Sequence, residues 1–142
     1  MPAEPPLTVA LDRTLDATLG IETLELTPEF ATGRIPVEDR IKQPFGLVHG
    51  GAMAAIAESL CSQATFLGVA HEGQLAQGLS NHTSFMRPIF EGHVNAAARR
   101  VHRGRTTWVW EVEIIDDEDR LCALSRVTMA VRPAPEGASE PA

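Results

Sequence analysis

Cysteine is scarce: Cys61 and Cys122 are the only two in 142 residues. Two thiols make no disulfide framework, and their spacing fits no metal-ligand pattern. A reduced, cytoplasmic compartment suits such a chain. Positive charge is also short. Twelve basic residues stand against nineteen acidic ones, a formal net charge of −7. That argues against nucleic acid as a partner, since non-specific binding needs a basic field. It leaves room for an anionic ligand held by a local arginine cluster, and every basic residue except Lys42 is arginine. The opening MPAEPPLTVALDR lacks a basic region followed by an apolar run, so no secretory signal is expected. No G-x-S-x-G elbow occurs, the nearest serine string being Gly78-Leu79-Ser80-Asn81-His82. H-E-x-x-H, cysteine–histidine zinc spacing, G-x-G-x-x-G and Walker A loops are absent as well. The histidines, at 49, 71, 82, 93 and 102, are too scattered to suggest a metal.

What remains is ordinary for a globular chain, with 44% hydrophobic and 22% charged residues. The length suits one domain, which can bury a core without staples. Met1 to Pro6 is proline-rich and the chain closes on PAPEGASEPA. Residues 1–10 and 133–142 are therefore expected to be flexible, flanking one domain over 11–132. Between those ends, Thr8 to Leu19 has apolar residues near helical spacing, with Gly20 to end it. Ile21–Leu26 and Ala31–Val37 read as short strands, Pro36 hinting at an edge. Ile41 to Val48 reads as a loop. Leu75–Met86, Gly92–Val101, Thr106–Ile115 and Leu121–Val131 read as strands, the last two a hairpin closed by Asp116–Asp119.

Gly50 to Ala70 is the most telling segment. Met53, Ile56, Leu60, Ala64 and Leu67 recur at helical spacing, and most other positions are small. Glu58 is the only charge there. A helix apolar nearly all round is buried or spans a membrane. Glu58, Gln63 and several hydroxyls argue against spanning, and no other candidate span exists, so no membrane is expected. The fold class is α+β, an antiparallel sheet wrapped round one long central helix. A single sheet covers one side of such a helix, so a second copy is expected on the other.

A buried ionised carboxylate is costly unless it is paired or hydrogen-bonded. No Lys or Arg lies three or four residues from Glu58, whereas Ser62, one turn on, shares its face. Glu58 is thus a candidate catalytic group; the alternative is a structural carboxylate bound to a distant arginine. Gly50 and Gly51 at the helix start leave free N–H groups at the positive end of the macrodipole, suited to a developing oxyanion. Alternatively they only ease helix–sheet contact, and His49 is a satisfied structural histidine.

Gln43, His49, Gly50, Glu58 and Ser62 in this spacing, within QPFGLVHGGAMAAIAESL, resemble the hotdog-fold thioesterases. The subgroup most resembled acts on 4-hydroxybenzoyl-CoA or 1,4-dihydroxy-2-naphthoyl-CoA and carries glutamate on the central helix. The likeness runs on through GLSNHTSFMRPIFEGHV and HRGRTTWVWEVEIIDDEDRLCALSRVT, covering about Leu11 to Val131. It implies a hotdog fold and an acyl- or aroyl-CoA substrate cleaved by water to free acid and CoA. No metal or redox cofactor is implied. It makes Glu58 the nucleophile or the base that activates water. It makes the Gly50 N–H and the Gln43 amide the groups that polarise the thioester carbonyl. His49 would support that loop, and Ser62 would orient Glu58 or the water. The site would lie across a dimer interface, in a dimer or a dimer of dimers (a homotetramer).

CoA phosphates favour arginine forks and backbone N–H groups, and Arg99 to Thr107 offers both at a strand-to-strand turn. By resemblance Gly78, the stretch Phe85, Met86, Arg87 and Pro88, and the stretch His102, Arg103, Gly104, Arg105, Thr106 and Thr107 would line the CoA site. Arg126 is a further candidate. Arg105-Thr106 after Gly104 departs from relatives that carry serine first. For any one arginine, a solvated edge that blunts strand pairing is the alternative. Two rival functions are a non-catalytic acyl-CoA-binding hotdog module and a hotdog dehydratase. A binder gains nothing from a carboxylate aimed at the thioester, and a dehydratase pairs its carboxylate with a catalytic histidine in a different arrangement.

Overall fold

The segment from Gly50 forms the long helix α2, Gly50–Val69, and its apolar stripe decides where everything else goes. Met53, Ile56, Ala57, Leu60, Cys61, Ala64, Thr65 and Gly68 are buried, steps of three and four that put them on one face. That face lies on a six-stranded antiparallel sheet in the order β1-β2-β4-β5-β6-β3. The strands are β1 Glu22–Leu26, β2 Phe30–Pro36, β3 Gln74–Phe85, β4 His93–Arg103, β5 Thr107–Ile115 and β6 Leu121–Pro133. The computed structural model describes residues 7–135.

Alternation along the strands aims the core at α2. Trp108, Trp110, Val112 and Ile114 of β5 are all buried, as are Ala123, Val127, Met129 and Val131 of β6. Leu121 shares that parity but sits at the strand's start and is exposed. The Trp110 indole is tied to α2: its Nε1–H donates to Thr65 Oγ1 at 2.9 Å. Trp108 fills the space beside Gly68, where an added Cβ would lie 2.5 Å from its ring. This explains one difference from the sequence pattern. Gly68 rather than Leu67 completes the buried stripe, and Leu67 is 47% exposed.

Other expectations are corrected in detail. The first helical segment is two pieces, a 3-10 turn at Leu11–Arg13 and the short α1 at Leu15–Leu19. Thr14 interrupts them in extended geometry. Its hydroxyl accepts from Ala17 N–H and donates to the Leu11 carbonyl, which starts α1 afresh. Gly20 then ends α1 with φ 80°. β2 is not an edge strand, since it lies between β1 and β4. Pro36 is tolerated at its end because β1 pairing reaches only Arg34. β6 continues to Pro133, and Ala134 N–H donates to the Gly73 carbonyl at 2.9 Å. Pro133 of the expected tail thus lies in the sheet and Ala134 is tied to the residue before β3; residues 1–6 and 136–142 lie outside those described.

The larger correction concerns α2 itself. It is not buried all round: Gly51, Glu58 and Leu67 are exposed, and Ala54, Ala55, Ser59, Ser62 and Gln63 half-buried. The sheet covers one side and α1 only part of the other. The run Gly50–Glu72 has mean hydropathy 1.3, long and apolar enough to cross a bilayer, yet it is the core helix against this sheet.

Candidate functional site

The loop before α2 is built to present donors. Gln43 N–H donates to the Leu47 carbonyl, Gly46 N–H to the Gln43 carbonyl, and Gly46 turns the chain with φ 95°. The Gln43 side-chain oxygen accepts from Phe45 N–H, and its NH2 end has no partner among the described residues. His49 is the N-cap: its Nδ1 accepts from Gly51 N–H at 2.8 Å, so the neutral ring carries its proton on Nε2. With Gly51 capped and Ala52 N–H bound to the His49 carbonyl, the Gly50 N–H is the first-turn donor without a partner among the described residues. The Phe85 ring closes over this point; a Cβ on Gly50 would lie 2.9 Å from it. Gln43, His49, Gly50 and Phe85 thus gather at the start of α2, at the strand end that leads into Met86, Arg87 and Pro88.

Glu58 lies two turns further along and belongs to a second group. It lines a cavity of about 1020 Å³ between α2 and the α1 region, with Leu11, Leu15 and Ile21 on one wall and Ser59, Ser62 and Gln63 on the other. Gly78 backs it: a Cβ there would touch the carboxylate at 3.4 Å. A register shift between Gly78 and Ser80 bends β3 at this place. The carboxylate accepts from Asn81 Nδ2 at 3.4 Å. Ser62 faces the same cavity and makes no hydrogen bond to Glu58. Across the cavity floor, Ser59 bonds Asp16 of α1, Gln63 donates to Ser59 at 3.1 Å, and Thr23 donates to Gln63 at 3.1 Å.

Nearby thiols offer no competing nucleophile. Burial, with the neighbouring Glu58 charge adding, pushes the Cys61 thiol far above its ordinary value. Burial likewise raises Cys122, with Asp116 contributing. Both are protonated at neutral pH. Among the described residues no three His, Cys, Asp or Glu side chains converge to hold a metal.

The remaining site candidates divide. His102, Arg103, Gly104, Arg105, Thr106 and Thr107 form the β4–β5 turn, at the opposite end of the sheet from Phe85. Pairing runs from Thr107 through Ala130 to Gln77, so this turn borders the Glu58 end. Gly104 has no room for a Cβ, which would meet the Thr107 carbonyl at 2.7 Å. Arg103 stacks on the Trp108 ring at 5.1 Å. Arg100 is committed to the same ring and to the Pro28 carbonyl, and Arg99 pairs with Glu111 on the outer sheet face. Arg126 is bound there too, by Glu111 at 3.0 Å, away from Glu58. Arg87 and Arg105 have no ionic partner among the described residues.

Asn81 and the Asp16–Ser59 contact escaped the sequence reading. The signal for Asn81 was there: with Thr83 it places polar side chains on the parity of β3 that faces α2.

Residues 45–123 match the thioesterase superfamily. The proofreading thioesterase EntH of Cronobacter turicensis is 40% identical over 83% of this chain and 85% of its own. A thioesterase of Haemophilus influenzae superposes with a TM-score of 0.82 at 32% identity, covering 96% of this chain and 99% of its own. A Staphylococcus aureus thioesterase, solved with a glutamine replaced by alanine, gives 0.81 at 30% identity over 84% of this chain and 98% of its own. A second structure of that protein has a glutamate replaced by alanine.

Proposed function

The chain belongs to the thioesterase superfamily, with its hotdog fold and thioester-hydrolase activity, and from that premise we propose that it cleaves an acyl- or aroyl-CoA thioester to free acid and CoA with Glu58 as the catalytic carboxylate. The observation that carries this reading is the placement of Glu58: an exposed carboxylate on the open face of the central helix, lining the cavity beside α1. The two positions replaced by alanine in the Staphylococcus aureus structures are separated by the same interval as Gln43 and Glu58 here, which supports the pairing of these roles.

In this mechanism the Gly50 N–H and the free Gln43 NH2 hold the thioester oxygen as negative charge grows on it. Glu58 attacks the carbonyl carbon or takes a proton from the attacking water. The tetrahedral intermediate then expels the CoA thiolate, which needs no strong acid because an ordinary thiol ionises at about pH 8.5; if Glu58 was the nucleophile, water then hydrolyses the acyl–Glu58 anhydride to the free acid and restores the carboxylate. Ser62, which lines the same cavity as Glu58, would orient the water, and Arg105 and Arg87, which have no ionic partner among the described residues, would take the CoA phosphates.

One chain does not complete this site. Gly50 and Glu58 are eight residues apart on one helix, about 12 Å along its axis. A reacting carbonyl needs both groups within about 3–3.5 Å of its own atoms. The uncovered face of α2 and the free edge of β3, which pairs only with β6 among the described residues, are where a second copy would dock. A two-fold homodimer would bring the Gly50 end of one protomer to Glu58 of its partner. Localisation is read as cytoplasmic from the two unpaired thiols.

Glu58→Gln tests the assignment. It keeps the shape and removes the base, so kcat for CoA release should fall ~10²–10⁴-fold with little change in thioester affinity or oligomeric state. Near-normal turnover would overturn the catalytic role and leave Glu58 a structural carboxylate.

A further inference from the structure

Glu58 is approached from one side by a row of hydroxyl and amide groups on β3 and β6. Asn81 Nδ2 carries two protons; it donates one to the Ala54 carbonyl at 2.9 Å and directs the other to Glu58 Oε1 at 3.4 Å. Its oxygen accepts from Thr83 Oγ1 at 2.7 Å. That bond fixes the amide's orientation: turned over, the Asn81 oxygen would face the Ala54 carbonyl and the Glu58 carboxylate, two acceptors with no proton between. Thr83 and Ser125 are directly opposite in the β3–β6 register, their hydroxyls 2.8 Å apart. The single Thr83 proton goes to Asn81, so Ser125 must be the donor to Thr83. Ser125 itself is buried.

The protons in this row therefore all point one way, from Ser125 to Thr83 to Asn81 to Glu58. We infer that Asn81 is a positioning residue for the reaction, holding Glu58 in its ionised form and at a fixed angle to the cavity through a one-directional hydrogen-bond relay that starts at Ser125. Each donor in such a chain is polarised by the one behind it, which strengthens the last bond to the carboxylate. The effect counts most when a substrate or a second copy covers the open face and removes water from Glu58, because desolvation alone would favour the protonated acid, which is inactive as a base. Few charges compete. Asp16 of α1 lines the same cavity, and the Cys61 thiol lies one turn away on α2. On β3 the sole ionisable side chain is His82, which lines the outer face of the sheet. The inward residues of β6, from Ala123 to Val131, carry no charge. Asn81 is thus the donor that Glu58 has among the described residues, and its role rests on the reading of Glu58 as the catalytic base.

The test is the pH profile of kcat/KM for a CoA thioester in wild type, Asn81→Leu, Thr83→Val and Asn81→Asp, with Glu58→Gln alongside. Asn81→Leu should move the acid limb up by about one pH unit, the scale of a lost hydrogen bond to a charged group, with KM little changed. Thr83→Val keeps the side-chain shape and should move the limb the same way by less. Asn81→Asp should move it furthest, since a second carboxylate opposes ionisation of the first. Limbs superimposable on wild type, with only the melting temperature altered, would overturn the relay and leave Asn81 as a tie between β3 and α2. If Asn81→Leu fails to fold, Thr83→Val decides by the same criterion. If Glu58→Gln keeps its turnover, the catalytic reading fails and the relay with it. If Glu58→Gln is inactive and the limbs stay in place, the relay alone fails.

Discussion

A site shared between protomers can be tested by breaking its two halves in separate chains. Glu58→Gln removes the base. Gly50→Pro removes the donor, because proline has no N–H, and α2 should tolerate it: Gly50 is the first helical residue, where proline fits, and His49 already has the extended geometry (φ −64°, ψ 130°) that proline requires before it. The ring atoms would press on Phe85, 2.9 Å from a Cβ at this position, but that side chain is 55% exposed and can turn aside. Loss of one oxyanion donor costs ~10²–10³-fold in kcat, so each variant alone is nearly inactive. If Gly50 of one protomer serves Glu58 of its partner, a mixed dimer holds one site with both groups intact and one with neither. Random reassortment makes half the dimers mixed, so about a quarter of wild-type activity should return. The assay is CoA release after co-expression or after denaturing and refolding the two variants together. If the groups acted within one chain, no chain in the mixture would carry both, and activity would stay at the level of the single variants. That outcome would refute the shared site.

Gly68→Ala sets a gain of about 1 kcal/mol in helix propensity against overpacking of a Trp108 ring that is 1% exposed. Overpacking costs about 1–3 kcal/mol, so the melting temperature should fall, and a rise would refute the contact. Arg105→Ala should raise KM for a CoA thioester more than for a truncated pantetheine thioester, while Arg126→Ala, held by Glu111 on the outer face, should alter neither. Equal effects of Arg105→Ala on both substrates would remove Arg105 from the phosphates. Burial acts to raise the Asp116 carboxyl, but hydrogen bonds from the Arg120 N–H and guanidinium and from the Glu118 N–H outweigh it and hold it below the usual range. A carboxyl lowered in the fold stabilises above its unfolded value of about 3.9 and loses that contribution as pH falls through its folded value. The wild type should therefore lose stability as pH falls below about 4 more steeply than Asp116→Asn; parallel melting curves would contradict this.

Local patterns in the chain were enough to specify α2, the parity of β5 and β6, and the loop that precedes the helix; the sequence needed nothing else for these. These are local signals: apolar residues at steps of three and four, alternation of Trp108, Trp110, Val112 and Ile114, and glycines at a helix start. It also indicated that α2 had more apolar and small surface than one sheet could cover. It did not place Glu58, which reads as buried along the helix but stands on the uncovered face, because burial depends on what packs from elsewhere in the chain or from another copy. Nor did it show that Arg126 points away from the cavity or that Thr83 meets Ser125 forty-two positions later. Those facts follow from strand order and register, and a register is fixed by the sum of long-range packing over a whole face, which no short stretch of sequence contains.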